Sequence, residues 1–457
     1  MINDIIKDVL KSWNSDSSVN SNDEILSWIR EKNEKHIVSI NKCPLENCIG
    51  WQINPNNGYI ERTDGGFFQI AGMKIQLGDC CVEQPIILQE EIGYLGIICK
   101  KINGILHFLM QAKIEPGNIN KIQISPTIQA TKSNFTQLHG GRQPAYLEYF
   151  KSALNYEVIV DQIQSEQSSR FNGKRNRNII ILVNDDVPVL PSHAWMTLKQ
   201  IKQFMEIDNL VNMDTRTVIS CIPFCLSNLS IDDVEKYFND KALANSIFGS
   251  INEREVQNIF HYINDWKMFK RHDKRICRLS ELSSWKIGDY EIKSKSLFPY
   301  KVVFCNIQIE GREVKEWCQP LFEAEGIATF ALVSKVVNNK RLFLVKATHE
   351  VGCFDEIELG PSVQLEANSE INDIVSKFVF EKLKKDEDII FDTLLSEEGG
   401  RFYQEQNRNV IIYAKSNELN ELPDGYFWVT YKSLNSMQMV NNVLNIQLRN
   451  LLSLLRC

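Results

Sequence analysis

The chain has 457 residues, of which 43% are hydrophobic and 24% are charged, and its formal net charge at pH 7 is −7. This composition is that of a globular protein, and the length favours two domains of about 200 residues over one. The acidic balance argues against a nucleic-acid or membrane-surface protein, because such proteins carry a basic excess or a large basic patch.

The cysteines and the N-terminal residues indicate the compartment. The twelve cysteines include no paired C-x-x-C sets, so they predict reduced, mostly packed thiols rather than a zinc site or disulfides. The first residues, MINDIIKDVLKSW, mix charges into their apolar positions, and no apolar run in the chain approaches about 18 residues. We therefore expect a cytoplasmic protein without a membrane span.

The chain is expected to begin with a polar lead, residues 1–20, whose Ser- and Asn-rich end forms a loop or a frayed tail. Asn22 and Asp23 then cap a helix with an apolar face in residues 25–29. Residues 256–266 have apolar positions at the same helical spacing. Each half of the chain is therefore predicted to start with a helix.

A hairpin with a tryptophan at its start follows in each half. Trp51 precedes a turn at residues 55–58, and Trp285, 234 positions later, precedes a shorter turn at Gly288 and Asp289. Two interpretations stay open for both tryptophans. Either they are core residues, or their indole faces stack on a base, which their polar surroundings favour.

Residues 108–134, FLMQAKIEPGNINKIQISPTIQATKSN, recur 235 positions later as residues 343–369, FLVKATHEVGCFDEIELGPSVQLEANS. Both copies predict a strand, a break at a glycine and a second short strand. The first copy then carries more hydrogen-bonding side chains than a plain turn needs, which predicts a site for a polar ligand. The candidate ligand-binding residues are Gln111, Gln129, Thr131, Lys132, Ser133, Asn134 and Phe135 in the first copy, with Glu350 in the second.

A second repeated motif reads SEQSSRFNGKRNRNIII at residues 165–181 and SEEGGRFYQEQNRNVII at residues 396–412. Each copy leads into a buried strand. Its arginines have the planar fork that binds a diphosphate through two hydrogen bonds, although an arginine and glutamate network that braces the strand explains them equally well. The candidate residues are Ser169, Arg170, Arg401, Phe402, Tyr403, Asn407 and Arg408.

Each half closes with a Trp-x-Thr helix start and an Asn-x-x-x-Arg pair. Thr197 and Thr430 are predicted helix N-caps. The pairs, at positions 212/216 and 445/449, share a helix face and either brace the fold or reach a ligand. Since residues 223–251 have no counterpart, we expect an α+β fold with a first repeat at 21–222, a linker at 223–251 and a second repeat at 252–457.

Several common mechanisms have no sequence support. The chain contains no Walker loop, G-x-G-x-x-G, G-x-S-x-G, H-E-x-x-H or paired-cysteine metal set, which removes the usual signatures of ATP, dinucleotide, serine-hydrolase and zinc sites. The amides, arginines, glutamates and tryptophans in matching segments support a site for a polar, anionic and aromatic ligand such as a nucleotide sugar. They do not by themselves name a reaction.

Three of these segments, FLMQAKIEPGNINKIQISPTIQATKSN, QSEQSSRFNGKRNRN and LVNMDTRTVISCIPF, with EIGYLGI ahead of them, closely resemble the NDP-hexose 2,3-dehydratases of deoxysugar biosynthesis. The likeness runs through nearly the whole chain and includes the duplication. It implies a tandem repeat of two Nudix-like mixed-sheet domains with flanking helices, a homodimer and no redox cofactor. The Nudix catalytic box is absent from both halves, which argues against a Mg²⁺ site and pyrophosphate hydrolysis.

The resemblance also implies a reaction. The substrate would be a dTDP-4-keto-6-deoxyhexose, whose carbonyl at carbon 4 acidifies the hydrogen on carbon 3. A general base removes that hydrogen, donors stabilise the enolate, and an acid helps hydroxide to leave carbon 2. The enol then becomes a 2,6-dideoxy 3,4-diketo sugar, and a separate 3-ketoreductase is the expected next enzyme.

Residue roles follow from the resemblance by position. Trp51 and Trp285 would contact the ligand, with the base as the stacking partner. The expected contacts to the diphosphate and the sugar are Arg170, Arg401, Asn407 and Arg408.

The general base is one of three residues. Glu115 and Glu166 are candidates because a carboxylate half-buried beside apolar strands can have a raised pKa, and His139 is a candidate in a flexible polar loop. Tyr403 is a candidate donor to the enolate. An alternative for Glu115 is a solvated turn residue beside Pro116.

The duplication leaves two models of the site. In one, one pocket is catalytic and the other is vestigial or regulatory. In the other, a working site combines segments of both repeats. Two alternative functions also remain, a non-catalytic nucleotide-sugar binding protein and a nucleotide-sugar epimerase, which shares the deprotonation at carbon 3 but loses no water.

Overall fold

The computed structural model describes residues 2–77, 80–136, 143–270, 272–310 and 314–457. Within these ranges the chain is a mixed α+β protein with four β-sheets, two built mainly from each half of the sequence. The expected α+β class is therefore confirmed.

The first half contributes six α-helices and twelve strands among the described residues. In chain order they are α1 (Ile2–Asn14), α2 (Asn22–Lys35), β1 (Val38–Lys42), β2 (Trp51–Ile53), β3 (Ile60–Arg62), β4 (Gln69–Leu77), β5 (Cys80–Leu88), β6 (Gly93–Ile102), β7 (Ile105–Ile114), β8 (Ile122–Ser125), β9 (Ile128–Ala130), α3 (Lys132–Phe135), α4 (Leu147–Lys151), β10 (Glu157–Ser165), β11 (Arg175–Leu182), β12 (His193–Thr197), α5 (Leu198–Phe204) and α6 (Met213–Ser220).

A connecting segment holds two short helices, α7 (Ile231–Val234) and α8 (Lys241–Phe248). The second half then repeats the order of the first with small changes. Its elements are α9 (Glu253–Phe269), β13 (His272–Cys277), β14 (Trp285–Ile287), β15 (Glu291–Ser294), β16 (Tyr300–Ile309), β17 (Glu316–Ala324), β18 (Thr329–Val337), β19 (Lys340–Thr348), β20 (Glu358–Pro361), β21 (Val363–Leu365), α10 (Ile374–Lys385), β22 (Ile389–Ser396), β23 (Phe402–Tyr403), β24 (Gln406–Tyr413), β25 (Tyr426–Thr430), α11 (Tyr431–Gln438) and α12 (Ile446–Ser453).

Each half has one mixed sheet with the same strand pairing. In the first, the order is β10-β11-β6-β7-β12, with β11 parallel to β6 and the other neighbours antiparallel. In the second, the equivalent order is β22-β24-β18-β19-β25, with β24 parallel to β18. Strand β20 also pairs with β19, as β8 pairs with β7. The central strands β11 and β24 are the apolar runs that the second motif leads into, and Ile179, Ile180, Val410 and Ile412 on them are fully buried.

The two remaining sheets exchange a strand between the halves. Strand β1 of the first half pairs with β16 of the second, from Val38 opposite Ile309 to Lys42 opposite Cys305. Strand β13 of the second half pairs in the equivalent way with β4 of the first. The largest apolar core is shared by both halves. Local sequence patterns predict strands but not the strands they pair with. The sequence therefore predicted two repeats that follow one another and did not reveal this exchange.

The N-terminal residues differ from the expected polar lead. Residues 2–14 form α1, and Ile6, Val9 and Leu10 on it are at most 1% exposed. The charged residues that suggested a polar segment fall on the outer face of an amphipathic helix, because the apolar positions recur at helical spacing. The next helix, α2, is capped by Ser21 through a capping box with Glu24, one residue earlier than expected.

The two expected helix N-caps are confirmed. Thr197 and Thr430 are the N-caps of α5 and α11. The cysteines for which the structure gives a state are free thiols, and most of them are buried. No helix in the described ranges is long and apolar enough to cross a membrane.

Candidate functional site

Two equivalent junctions bring the repeated motifs together, and each junction joins the two halves. In the first, which we call the Arg401 junction, the loop of residues 115–118 after β7 packs on residues 397–402 before β23. Gly117 donates its N–H to the Gly399 carbonyl (2.6 Å), and a Cβ on Gly117 would lie 1.5 Å from the Phe402 carbonyl oxygen. Only a glycine permits this approach.

The second, which we call the Arg170 junction, has the reverse composition. Residues 350–353 of the second half pack on residues 166–171 of the first, and Gly352 donates to the Ser168 carbonyl (2.8 Å). A Cβ on Gly352 would lie 1.8 Å from the Phe171 carbonyl oxygen. Phe171 and Phe402 meet edge to face at 5.8 Å. Any site at either junction is therefore composite, as the second sequence-based model expected.

Arg401 is buried and has little negative charge close to its guanidinium. Its guanidinium lies 4.4 and 4.3 Å from the ring centres of Phe67 and Phe68 and donates to Gln89 Oε1 (3.1 Å) and to the Gly400 carbonyl (2.8 Å). Burial lowers its pKa. Among the described residues, no carboxylate forms an ion pair with it within 4.0 Å. Its positive charge is therefore available to an anion or to nearby acids.

Arg170, its counterpart, is neutralised. It lies 4.0 Å from the ring centre of Tyr300, and its Nη2 is 3.1 Å from Glu366 Oε2 and 3.8 Å from Glu405 Oε1. The positions equivalent to these two glutamates, 235 and 231 residues earlier, hold Thr131 and Lys174. The two junctions thus differ at these positions, with two acids at the Arg170 junction and a hydroxyl and an amine at the Arg401 junction.

Several carboxyl groups lie close to Arg401 or to Glu398. Glu398 is half-buried, and burial together with Glu115 raises its pKa to about 8, against the opposing effect of Arg401. Burial raises the pKa of Asp214 well above its usual range, with further contributions from Glu166 and Glu398. A carboxyl with a pKa of about 8 holds its proton at neutral pH and can act as an acid.

Glu115 is buried and held by donors. It is 6% exposed, accepts a hydrogen bond from Gln129 Nε2 (3.0 Å) and lies 3.8 Å from the Lys113 ammonium. The alternative of a solvated turn residue is therefore wrong. Pro116 and Gly117 turn the chain inward toward the other half, which buries the side chain that precedes them.

Glu166 lies in the same cluster, where burial raises its pKa. It accepts from Asn176 Nδ2 (2.6 Å), and the equivalent Glu397 accepts from Asn407 Nδ2 (2.7 Å). The first asparagine of each Asn-Arg-Asn triplet therefore holds a glutamate of its own motif. The Asn407 oxygen also accepts from the Ala328 N–H, so both ends of this amide have partners within the protein.

Arg408 and its counterpart Arg177 brace the sheets. Arg408 donates to both oxygens of Asp392 (2.9 and 2.5 Å), and Arg177 makes the same fork on Asp161. Each aspartate lies on the neighbouring antiparallel strand. Both arginines therefore brace their sheets, as the bracing interpretation expected, and the diphosphate contact of Arg408 stays a prediction.

Trp51 and Trp285 are core residues. They are 5% and 4% exposed, and their indole N–H groups donate to the carbonyls of Cys318 (2.7 Å) and Glu83 (2.9 Å). Their rings pack behind the aromatic residues that contact the two junction arginines, Phe68 and Tyr300. The structure therefore supports the core interpretation of both tryptophans, because both rings lie one layer behind the arginines.

The side chains of two other candidates in the second motif point away from the carboxyl cluster. Phe402 is 1% exposed in the core. The Tyr403 ring lies 5.2 Å from the Lys42 ammonium, and the residue pairs with Glu323 on β17, while burial raises its pKa. The structure therefore does not bring Tyr403 to Glu115 or Glu166.

Residues 131–135 lie beside the Arg401 junction. The Ser133 N–H donates to Glu91 Oε2 (3.1 Å), and the Glu91 carbonyl accepts from Lys174 Nζ (2.5 Å). Lys132 and Asn134 are exposed, whereas Thr131 and Phe135 are half-buried. The segment thus forms a polar rim at the edge of the cluster.

The remaining candidates are divided between the junctions. Gln111 is half-buried on β7, two residues before Lys113. The Ser169 carbonyl accepts from Gln84 (2.8 Å), and Glu350, whose pKa burial and Glu366 raise to about 7, accepts from Gln364 (2.8 Å). His139 lies outside the described residues.

Several members of the cluster were not among the sequence-based candidates. One signal could have found some of them, namely a change of charge between the two copies of a motif. When the two copies are aligned, Lys174 is equivalent to Glu405, Glu398 to Gln167 and Lys113 to Thr348. The residues missed are Glu91, Lys113, Lys174, Asp214 and Glu398.

Comparisons with known proteins identify the class. A protein-family model described as NDP-hexose 2,3-dehydratase matches residues 22–222 and again residues 256–455. The chain is therefore a lyase of the sugar-nucleotide dehydratase class. It belongs to the NDP-hexose 2,3-dehydratase family, and the resemblance seen in the sequence is confirmed.

Characterised relatives cover most of the chain. A dTDP-4-dehydro-6-deoxy-alpha-D-glucopyranose 2,3-dehydratase of Saccharopolyspora spinosa is 35% identical over 439 residues, 94% of this chain and 90% of its own length. Proteins of the same name from Streptomyces violaceoruber and Amycolatopsis orientalis are both 33% identical over 94% of this chain, and over 96% and 89% of their own lengths. A solved ADP compounds hydrolase aligns with 33% of this chain and 80% of its own at 16% identity and a TM-score of 0.19.

Proposed function

We propose that this chain is a dTDP-4-dehydro-6-deoxyglucose 2,3-dehydratase and that the Arg401 junction is its active site. Three relatives of that name at 33–35% identity support the substrate. One observation carries the choice of site. The Arg401 junction combines buried Glu115, Glu398, whose pKa of about 8 keeps it protonated at neutral pH, and an arginine without a short-range counter-ion. At the Arg170 junction the arginine instead pairs with Glu366 and Glu405.

The roles follow from the hydrogen bond and the ammonium group beside Glu115 and from the raised pKa of Glu398. Glu115 is the base that takes the proton from carbon 3, and the Lys113 ammonium beside it stabilises the charge that develops on the carbon 4 oxygen. Glu398 gives its proton to the hydroxyl that leaves carbon 2, so that one water is lost. The enol left between carbons 2 and 3 becomes the 3-ketone, and no electron is gained or lost.

The nucleotide would extend from the cluster across the rim of residues 131–135. Lys132 and Asn134 are exposed there, and Lys174 and Arg401 lie behind it. These groups supply positive charge and amide donors that suit a diphosphate. Arg170 and Glu350 belong to the other junction and have no role in this proposal.

The wider expectations are part of the proposal. The duplicated mixed sheets support a Nudix-like origin of both repeats. We also expect a cytoplasmic homodimer and a 3-ketoreductase that consumes the product. Light scattering would measure the mass of the dimer.

One assay tests the proposed function. The protein is incubated with dTDP-4-keto-6-deoxyglucose and a 3-ketoreductase, and the products are analysed by mass spectrometry. Loss of one water is expected. Unchanged substrate would favour the nucleotide-sugar binding protein, and an isomer of equal mass would favour the epimerase.

A further inference from the structure

A chain of three side chains connects the start of α6 to Glu115. Asn212 is the N-cap of α6, so its Oδ1 accepts from the Thr215 N–H (2.9 Å). Its Nδ2 therefore points away from the helix and donates to Gln129 Oε1 (3.0 Å), which leaves Gln129 Nε2 to donate to Glu115 Oε1 (3.0 Å). We call this set the amide relay.

The relay fixes the orientation of both amides. An amide has a donor end and an acceptor end, and a helix N-cap must present its acceptor. Because Asn212 is fixed by α6, Gln129 can only turn its oxygen toward Asn212, and Ser125 Oγ donates to the same oxygen (2.9 Å). The N–H₂ end of Gln129 is thereby forced toward the carboxylate.

The second half builds the same relay for the other junction. Asn445 caps α12 and accepts from the Leu448 N–H (2.9 Å), its Nδ2 donates to Gln364 Oε1 (2.9 Å), and Gln364 Nε2 donates to Glu350 Oε1 (2.8 Å). All three residue types recur at their equivalent positions. The duplication therefore supplies a matched control that differs in which carboxylate it holds.

We infer that Asn212 is a positioning residue for the dehydration, because it makes Gln129 present a donor to Glu115 and so keeps that carboxylate ready to accept a proton. This inference rests on the proposed function of Glu115 as the base. Asn212 is 4% exposed and acts only through Gln129. It is distinct from the charged groups that face Glu115 directly, which are Lys113 on β7, Asp214 on α6, and Glu398 and Arg401 on the opposing segment.

Asn212→Asp separates this role from helix capping. Aspartate caps a helix as well as asparagine does, but its carboxylate cannot donate to Gln129. Gln129 then turns its N–H₂ group toward residue 212 and its oxygen toward Glu115. A carbonyl oxygen facing a carboxylate favours the protonated form of that carboxyl, so the base loses activity at low pH.

The experiment is the pH dependence of kcat/KM for the full-length wild type, Asn212→Asp and Asn445→Asp. We expect the acidic limb of Asn212→Asp to move upward by about one pH unit or more, with a rate at low pH about tenfold or more below that of the wild type. Asn445→Asp should follow the wild-type profile. Thermal unfolding of both variants checks that the caps are intact.

Two results would overturn the inference. One is an Asn212→Asp profile that superimposes on the wild type, and the other is an equal shift in Asn445→Asp, which would assign the effect to helix capping. If Asn212→Asp does not fold, Gln129→Glu replaces it, since it keeps the acceptor for Asn212 but offers no N–H to Glu115, and the same upward shift is expected. A wild type that removes no water would instead refute the proposed function, and the inference with it.

Discussion

At the scale of single residues, two carboxyl groups of the Arg401 junction lie in different surroundings. Glu115 accepts a hydrogen bond from Gln129 and has Lys113 beside it, whereas burial and the neighbouring Glu115 favour the protonated form of Glu398. An elimination needs one group that takes a proton and one that gives it. In the proposed reaction the pair provides both, without any change of oxidation state.

Glu115→Gln is expected to lower kcat by about 10²- to 10⁴-fold, the usual contribution of a general base, and to leave the fold intact because the side chain keeps its size. Turnover is measured by the loss of water and folding by circular dichroism. Glu350→Gln makes the same change at the Arg170 junction. Loss of activity in that variant, with full activity in Glu115→Gln, would place the base in the other half.

The pKa of Glu398, raised to about 8, predicts an alkaline limit to the reaction. Below that pH the carboxyl is protonated and can donate, and above it the proton is lost, so kcat/KM should fall as the pH rises through about 8. Glu398→Gln should lower the rate and remove this limb, whereas Glu405→Gln, at the Arg170 junction, should retain it. An unchanged limb in Glu398→Gln would assign the limit to another group.

At the scale of elements, the loop that follows β7 decides where Glu115 lies. It crosses to the other half and meets residues 397–402 so closely that a Cβ on Gly117 would overlap the Phe402 carbonyl oxygen. The loop has no room for another residue type at that point. Packing between the halves therefore fixes the position of Glu115, the proposed base.

Gly117→Ala is expected to lower the free energy of unfolding by at least about 1–3 kcal/mol, the usual cost of overpacking, and to lower turnover as Glu115 moves. Chemical denaturation and the water-loss assay measure these effects. Gly288→Ala is the control, because its Cβ would come no closer than 3.2 Å to another atom. Wild-type stability in Gly117→Ala would contradict the close approach.

The sequence predicted some of these elements well and others poorly. The duplicated motif placed β7, the break at Gly117 and β8 correctly, because apolar strands and turn residues are local signals. The packing of Trp51 and the ion pair of Arg408 could not be predicted, since they depend on partners far away in the sequence. Asp392 pairs with Arg408 only through the register of β22 and β24, and no local pattern encodes that register.

At the scale of the whole molecule, the halves are interlocked. Each gives its first strand to a sheet of the other, and each junction takes one loop from either half. The carboxyl cluster cannot form from one repeat alone. The duplication has therefore produced one cooperative unit instead of two independent domains.

Residues 1–251 and 252–457, expressed separately, are each expected to fail to fold, because β4 and β16 would lack their partners from the other half. Expressed together, the two fragments should associate and recover activity. Circular dichroism of each fragment and the water-loss assay of the mixture test this. A stably folded single fragment would contradict the interlocked arrangement.

The exchange of strands also determines when β1 and β4 can pair during synthesis on the ribosome. β1 ends at Lys42, but its partner β16 ends only at Ile309, so at about 5–20 residues per second the strand waits roughly 13–53 s for its partner to be made. β4 waits in the same way for β13 with one edge unpaired. An unpaired strand edge invites association with other chains, and the nascent protein must therefore be kept apart from its neighbours until β13 and β16 have been made.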